Sequence, residues 1–259
     1  MSWDIHAEDG AVIVAMNSNP VNKMNPAFFD DLHEALDRID RSHPGKPLVV
    51  TAQGQTFSAG LDLDHAFALF RSEDPDAILK WFKLFRDCLV RVFELPRRVV
   101  AAVNGNAFAG GLILALCCEH RIGVAGRGRY ALNEVLIGIP MPAVYTEIVR
   151  HAVGTTAAAQ LILDGRVFSA EEALASGLVH RLVPEGDLLL AALGQARVVN
   201  EATYSAYRVS KANLIAPTVN RIQNSLEDNE SAALRALMEP AAQRAHAAAL
   251  ARLKEKSGL

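Results

Sequence analysis

The most informative stretch of this sequence is residues 99–111, which read VVAAVNGNAFAGG. Its first five residues, Val99–Val103, form a short apolar run that predicts a buried strand. A turn of small residues follows, ends in the pair Gly110 and Gly111, and leads into a predicted apolar helix over Leu112–Cys118. Small side chains leave the backbone accessible, so a bound molecule can approach the N–H groups of such a turn.

A second stretch, residues 48–63, repeats this arrangement and reads LVVTAQGQTFSAGLDL. Leu48–Ala52 predicts another buried strand, and a turn of small residues again follows it. Two such turns on neighbouring strands could aim two backbone N–H donors at one oxygen atom, which is the geometry of an oxyanion hole. Two tight turns that need glycine only for packing explain the same pattern more simply. The spacing alone therefore leaves both interpretations open.

The remaining amino-terminal part alternates strand and helix signals up to about residue 185. Ala11–Met16 predicts a third buried strand. Asn25 is a predicted N-cap, with Pro26 in the first turn of an amphipathic helix. A second helix is predicted over residues 78–93, ending before Pro96.

Strand signals stop after about residue 187. Segments rich in Ala, Leu and Arg at helical spacing run from there to the end, with predicted interruptions at Pro217 and Pro240. We therefore predict an α/β region over residues 1–187 and a helical region over residues 188–259. The helical region is expected to pack on the α/β region or on a neighbouring subunit.

Composition excludes several classes of protein. The 259 residues are 51% hydrophobic, enough for a full-sized core, and the net charge of −3 argues against a general nucleic-acid or membrane-surface protein. The three cysteines have no C-x-x-C spacing, which suits a reducing compartment. Residues 1–8 show no targeting pattern, so a cytoplasmic location is expected. Nucleophile-elbow, P-loop and H-E-x-x-H motifs are missing from the sequence, and no metal site is predicted.

Glu134 is an ionisable group in the otherwise apolar stretch YALNEVLIGIP at residues 130–140. Burial would raise its pKa and make it a better base towards an uncharged substrate. A glutamate that begins a helix and accepts hydrogen bonds from backbone N–H groups is the simpler explanation when the motif is taken alone.

Together, the three stretches resemble the enoyl-CoA hydratase/isomerase (crotonase) superfamily. Residues 57–63 resemble its first oxyanion-hole segment, residues 101–111 its second, and residues 133–140 the segment of its catalytic glutamate. The similarity continues through residues 160–179 and covers essentially the whole chain. It implies an α/β spiral of ββα units with a helical C-terminal region, assembled as a homotrimer or a dimer of trimers.

The resemblance also implies the roles of individual residues. Glu134 would be the catalytic acid and base, and the N–H groups of Leu61 and Gly110 would form the oxyanion hole. The substrate would be an acyl-CoA thioester, with coenzyme A as part of the substrate and no separate cofactor. The implied substrate-binding residues are Ala59, Gly60, Leu61, Asp62, Leu63, Ile113 and Asn133. Lys23, Arg97 and Arg98 are either contacts to the phosphates of coenzyme A or solvated charges.

The choice between isomerase and hydratase depends on a second carboxylate. Hydratases of the superfamily use two glutamates on one water molecule, and the first of these positions is Ile113 here. Moving a double bond needs only one base. Residues 19–22, 129–134 and 250–256 also look like the mitochondrial-type Δ3,Δ2-enoyl-CoA isomerase, which is the activity that we predict.

Other activities stay open. An enoyl-CoA hydratase is the main alternative, followed by another acyl-CoA lyase or hydrolase of the superfamily. A dienoyl-CoA isomerase would need an additional acid beyond Glu134, and residues 138–142 supply none. A non-catalytic homologue that binds acyl-CoA or RNA is disfavoured by Glu134 and by the negative net charge.

Overall fold

Strands and helices alternate up to residue 183, and helices follow, in a computed structural model that describes residues 2–72 and 74–257. The strands are β1 (Trp3–Glu8), β2 (Ala11–Met16), β3 (Lys23–Met24), β4 (Leu48–Ala52), β5 (Thr56–Ser58), β6 (Gly60–Leu61), β7 (Val99–Val103), β8 (Asn106–Phe108), β9 (His120–Val124), β10 (Arg129–Ala131), β11 (Phe168–Ser169) and β12 (Arg181–Val183). The helices are α1 (Pro26–Ser42), α2 (Leu63–Arg71), α3 (Pro75–Glu94), α4 (Gly110–Leu116), α5 (Ala143–Ile162), α6 (Ala170–Ala175), α7 (Leu188–Ala196), α8 (Tyr204–Asn224), α9 (Leu226–Met238) and α10 (Pro240–Ser257). Two short 3-10 helices cover Glu134–Ile137 and Glu185–Asp187.

The main sheet has six strands in the order β1-β2-β4-β7-β9-β12. The three predicted strands β2, β4 and β7 lie side by side in parallel register, with the bounds that their apolar runs predict. They are buried because both faces of the sheet are covered: Val12 and Val14 pack into the core with α1 and α3, whereas Ile13 packs against α7.

β1 is a strand that the sequence analysis did not predict. It pairs antiparallel with β2 at the edge of the main sheet, with Trp3 opposite Met16. Trp3 is buried, but most of the strand is exposed, including His6 and Glu8. An exposed edge strand needs no continuous apolar run, so the signal that identified β2 was missing.

A second sheet of four strands has the order β11-β10-β8-β5. β5, β8 and β10 run parallel, with Ser58 and Tyr130 each paired to Ala107. A third, two-stranded sheet pairs β3 with β6 in parallel. All of these strands have two or three residues, which is too short for a recognisable period in the sequence.

The helices confirm the predicted caps more closely than the predicted ends. The Asn25 side chain accepts the Phe28 N–H at 3.0 Å, and Pro26 opens α1. α3 starts earlier than predicted, at Pro75, because the Asp74 side chain caps it by accepting the Ala77 N–H at 3.1 Å. α4 starts at Gly110 and ends at Leu116, two residues before the predicted bounds at each end.

The carboxyl-terminal helices pack on the rest of the chain. α7 lies on the main sheet, α8 on α5, α9 on α3, and α10 on α2. The predicted interruption at Pro217 is wrong, since this residue lies inside α8. Pro217 has no N–H, so the Asn213 carbonyl lacks its usual donor within the helix. Both residues are exposed, and water can therefore donate to that carbonyl. Pro240 does begin a new helix.

The division between residues 187 and 188 stays a prediction. None of the helices within residues 2–72 and 74–257 is long and apolar enough to cross a membrane.

Candidate active site

The four-stranded sheet brings the three candidate segments to one edge. β5, β8 and β10 are parallel neighbours, so their carboxyl ends meet at the same side. Ala59-Gly60-Leu61 follows β5, Ala109-Gly110 follows β8, and Leu132-Asn133-Glu134 follows β10. Ligand sites of open α/β sheets commonly lie at this edge.

Gly60 and Gly110 lie against each other. A side-chain carbon placed on Gly60 would come within 3.2 Å of the Gly110 nitrogen, 2.8 Å of the Phe108 oxygen and 2.6 Å of the Ala109 side chain. Gly60 also has a φ of +83°, in the left-handed region that other residues rarely adopt. Glycine is therefore required here both by the backbone and by the approach of the second turn.

Within residues 2–72 and 74–257, the N–H groups of Leu61 and Gly110 make no hydrogen bond outside the strand and the helix that contain them. Asp62, the residue after Leu61, donates its N–H to the Met24 oxygen of β3 at 2.9 Å. Successive N–H groups of a strand point to opposite sides, so the Leu61 N–H points away from β3. Gly110 is the first residue of α4, where an N–H has no helical partner, and no acceptor for it lies among the residues that the structure describes.

Two polar residues to which the sequence analysis assigned no role hold these turns in place. The Ser58 hydroxyl donates to the Asn22 oxygen at 2.7 Å and accepts the Gly60 N–H at 3.1 Å. The Asn22 side chain donates to the carbonyls of Gln53 and Thr56 at 3.3 and 3.0 Å. Both residues are fully buried. Both lie in stretches that resemble the superfamily, but their roles depend on contacts between segments that the local sequence does not show.

Glu134 is the first residue of its 3-10 helix and is only 8% exposed. Its Oε2 atom is buried and has no hydrogen-bond partner among the described residues. Burial raises the pKa of this carboxyl to about 7, and its own backbone N–H opposes the shift. The charge of the carboxylate is therefore not neutralised by the protein, and a proton can bind or leave close to neutral pH.

The remaining predicted binding residues lie around this edge. Asp62 caps α2 by accepting the Asp64 N–H at 3.2 Å, and Leu63 is the first residue of that helix. Asn133 immediately precedes Glu134 and is partly buried. Ile113 lies in α4 and is fully buried in the main core. An apolar side chain therefore occupies the position at which hydratases of the superfamily are expected to have a glutamate.

Of the three candidate phosphate contacts, only Lys23 lies at this edge. It pairs with Gly60 in the β3–β6 ladder, and its Nζ is 4.0 Å from a carboxylate oxygen of Asp62. Arg97 and Arg98 instead precede β7, in the main sheet. Arg97 is 3% exposed and donates to Asp40 at 2.5 Å, so the interpretation of Arg97 as a solvated charge or a phosphate contact is wrong.

An aromatic cluster and the last helix cover the site. Phe85 of α3 would lie 3.1 Å from a side-chain carbon on Gly110. Leu61 and Ile137 pack against a cluster formed by α2, α3 and the last two helices, which includes Phe67, Trp81 and Ile139. No group of three or more His, Cys, Asp and Glu side chains within the described ranges could hold a metal ion. The sheet edge thus brings a buried carboxylate and two candidate backbone donors to the ends of three neighbouring strands.

Comparisons with known proteins agree with this architecture. The enoyl-CoA hydratase/isomerase family matches residues 6–256. A putative enoyl-CoA hydratase of Thermus thermophilus is 36% identical over 217 residues, which are 82% of this chain and 83% of that protein. The mitochondrial enoyl-CoA delta isomerase 1 of Homo sapiens is 26% identical over 252 residues, 96% of this chain and 82% of that protein.

The fold matches solved structures as well. The crystal structure of human mitochondrial delta3-delta2-enoyl-CoA isomerase has a TM-score of 0.90 at 24% identity, covering 99% of each chain. This match confirms the predicted α/β fold with a helical C-terminal region. The chain belongs to the enoyl-CoA hydratase/isomerase family.

Proposed function

We propose that the protein is a Δ3,Δ2-enoyl-CoA isomerase, which moves the double bond of an acyl-CoA thioester from C3 to C2. One observation carries the proposal. Glu134 is a buried carboxylate with a pKa of about 7, one of its oxygens has no hydrogen-bond partner within the described part of the chain, and the position of a second acid is the apolar Ile113. A single base in a dry site suits a proton shuttle better than the activation of water.

The chemistry conserves every atom of the substrate. The Glu134 carboxylate removes a proton from C2 of the 3-enoyl thioester, and the electron pair moves onto the thioester oxygen to give a dienolate. The N–H groups of Leu61 and Gly110 donate to that oxygen as its negative charge develops; one such donor is worth about 3–4 kcal/mol of transition-state stabilisation. The protonated Glu134 then returns the proton to C4, which leaves the double bond between C2 and C3.

Binding of coenzyme A would use the neighbouring backbone. In this proposal the thioester arm lies along Ala59–Leu63, and Lys23 is the cation at that edge. Coenzyme A belongs to the substrate, and the reaction requires no separate cofactor. We further propose a cytoplasmic enzyme without nucleic-acid or membrane partners.

We also propose that the chain forms a homotrimer or a dimer of trimers. Large apolar side chains on or near the carboxyl-terminal helices are exposed in the single chain, among them Val198, Val209 and Leu214. Association of subunits would bury such side chains.

Hydration of a 2-enoyl thioester is the second candidate function. The 36% identity to the putative enoyl-CoA hydratase of Thermus thermophilus favours it. Hydration would require a second acid at a position other than Ile113.

The substitution Glu134→Gln tests the proposal, because it keeps the shape of the side chain and removes the base. We expect kcat for 3-enoyl-CoA to fall by about 10²–10⁴-fold, while the thioester still binds in a calorimetric titration. Glu94→Gln is the matched control, since burial also raises the pKa of Glu94 but this residue ends α3. If Glu134→Gln retains activity, Glu134 is not the base.

The substitution Ile113→Glu tests the single-carboxylate argument. We expect it to lower isomerase activity, and any water addition that it introduces would be detected as a 3-hydroxyacyl product. A wild-type enzyme that hydrates as fast as it isomerises would contradict the argument.

A further inference from the structure

His246, on helix α10, is a buried histidine that the proposed chemistry does not use. It is 1% exposed. Its ring stacks on Phe67 of α2, with centroids 4.8 Å apart and an interplanar angle of 14°. At the edge of the ring, the Nε2 atom lies 3.2 Å from the Gly138 oxygen. A carbonyl oxygen can only accept, so Nε2 carries the proton in this contact.

Gly138 closes the 3-10 helix whose first residue is Glu134. Its N–H is directed at the carbonyls of Glu134 and Val135, and the Ile139 N–H donates to the Glu134 carbonyl at 3.0 Å. The peptide group between Gly138 and Ile139 thus receives the His246 hydrogen bond at its carbonyl and donates to the Glu134 carbonyl through its N–H.

Helix α10 fits closely over this turn. Gly138 has a φ of +78°, and a side-chain carbon there would lie 3.2 Å from both the Ala242 Cα and the Ala245 side chain. The Gln243 side chain, on the same helix, donates to the Leu237 carbonyl at 2.9 Å. In this part of the described chain, the His246 ring is the polar side chain of α10 that bonds to the turn carrying Glu134.

The position of the Glu134 carboxylate depends on its backbone. Its Oε2 atom has no hydrogen-bond partner among the described residues. No hydrogen bond at that atom therefore holds the carboxylate in place if the 3-10 helix Glu134–Ile137 shifts. A shift of the turn would therefore pass directly to the carboxylate oxygens.

We propose that His246 is a positioning residue, which ties α10 to the Gly138 carbonyl and so fixes Glu134 against the substrate. The inference rests on the proposed role of Glu134 as acid and base. It assigns His246 no contact with the substrate.

The neutral form of His246 makes this tie. Its Nδ1 atom is buried and has no partner among the described residues, so an imidazolium would place an N–H there with no acceptor. Burial is the largest cause that lowers the pKa of His246, and the positive charge of Arg71 on α2 adds to it, whereas the Gly138 carbonyl opposes both.

Two nearly matched substitutions test the proposal. The amide nitrogen of Gln reaches the place of Nε2, whereas that of Asn reaches only the place of Nδ1. His246→Gln should therefore keep the donor to Gly138 and retain kcat to within about threefold. His246→Asn should lower kcat by about tenfold or more with little change in KM, since a base misplaced by a fraction of an ångström loses its alignment.

A pH profile separates positioning from simple loss of stability. If α10 loosens in His246→Asn, water reaches Glu134 and its pKa falls, so the acidic limb of kcat should move to lower pH than in wild type and in His246→Gln. Thermal unfolding identifies the temperature at which all three proteins are folded. If the wild type is an active isomerase and His246→Gln and His246→Asn have the same kcat and the same acidic limb in the pH profile of kcat, the positioning role of His246 is overturned. A wild type without isomerase activity would instead refute the proposed function.

Discussion

The substitution Gly60→Ala should damage catalysis far more than stability. Gly60 has a φ of +83°, where an L-residue costs roughly 1–2 kcal/mol. The added carbon would lie 2.6 Å from the Ala109 side chain and 2.8 Å from the Phe108 oxygen. Because carbon atoms are at their optimal separation at about 3.5–4.0 Å, the two turns must move apart by on the order of 1 Å.

That displacement falls on the two proposed oxyanion donors, since Leu61 and Gly110 flank the contact. Removal of one such donor lowers kcat by about 10²–10³-fold, and a misplacement of about 1 Å has an effect of the same order. We therefore expect kcat to fall about 100-fold while the protein remains folded.

The assay follows the ultraviolet absorbance that appears when the isolated double bond becomes conjugated with the thioester. Gly10→Ala is the control, because Gly10 has a nearly identical φ of +81° but nothing within 4 Å of the added carbon. It should lose only the roughly 1–2 kcal/mol of backbone strain and keep its kcat. If both variants keep wild-type kcat, the two turns do not form the oxyanion hole.

Three further predictions concern the pH dependence, a structural ion pair and the assembly. Because the pKa of Glu134 is raised from 4.5 to about 7 in the folded protein, kcat should rise as the pH rises through about 7. The folded state should lose up to about 3 kcal/mol of stability as the pH rises from about 4.5, the unfolded pKa, to about 7. A thermal-unfolding series from pH 4.5 to 8 should show Glu134→Gln gaining stability relative to wild type as the pH rises, and a constant difference would refute the raised pKa. Asp40→Asn should lower the free energy of unfolding by about 1–3 kcal/mol, since it weakens the bond to the buried Arg97, and should leave KM unchanged; a large rise in KM would indicate that Arg97 contacts the substrate after all. Light scattering at micromolar concentration should give the mass of three or six chains, and a monomer would contradict the proposed assembly.

The sequence predicted the centre of the main sheet because those strands are buried on both faces. An apolar run such as Ala11–Met16 is too short for a typical helix, so it predicts a buried strand. β1 was not predicted because it lies at the edge of the sheet and most of its residues are exposed. Its place in the sheet depends on pairing with β2. The interruption predicted at Pro217 does not occur because a single proline on the exposed side of α8 does not end that helix.

The site was predictable only as three separate segments. Their small residues and the lone Glu134 can be read from the chain, but the three-residue strands β5, β8 and β10 that bring them together carry no pattern of their own. Ser58 and Asn22 hold the turns through partners up to 36 residues away. His246 reaches Gly138 across 108 residues. Such contacts are set by tertiary packing, which local spacing does not encode.

The central claim is that one carboxylate beside two backbone donors moves a double bond and does not add water. The most direct test supplies the purified protein with 3-enoyl-CoA and, separately, with 2-enoyl-CoA, and identifies the products by mass and retention time. We predict rapid conversion of 3-enoyl-CoA to 2-enoyl-CoA and hydration of 2-enoyl-CoA that is slower by orders of magnitude. Hydration of 2-enoyl-CoA at about 10 per second or more would contradict the account, because that rate is typical of an enzyme carrying out its own reaction.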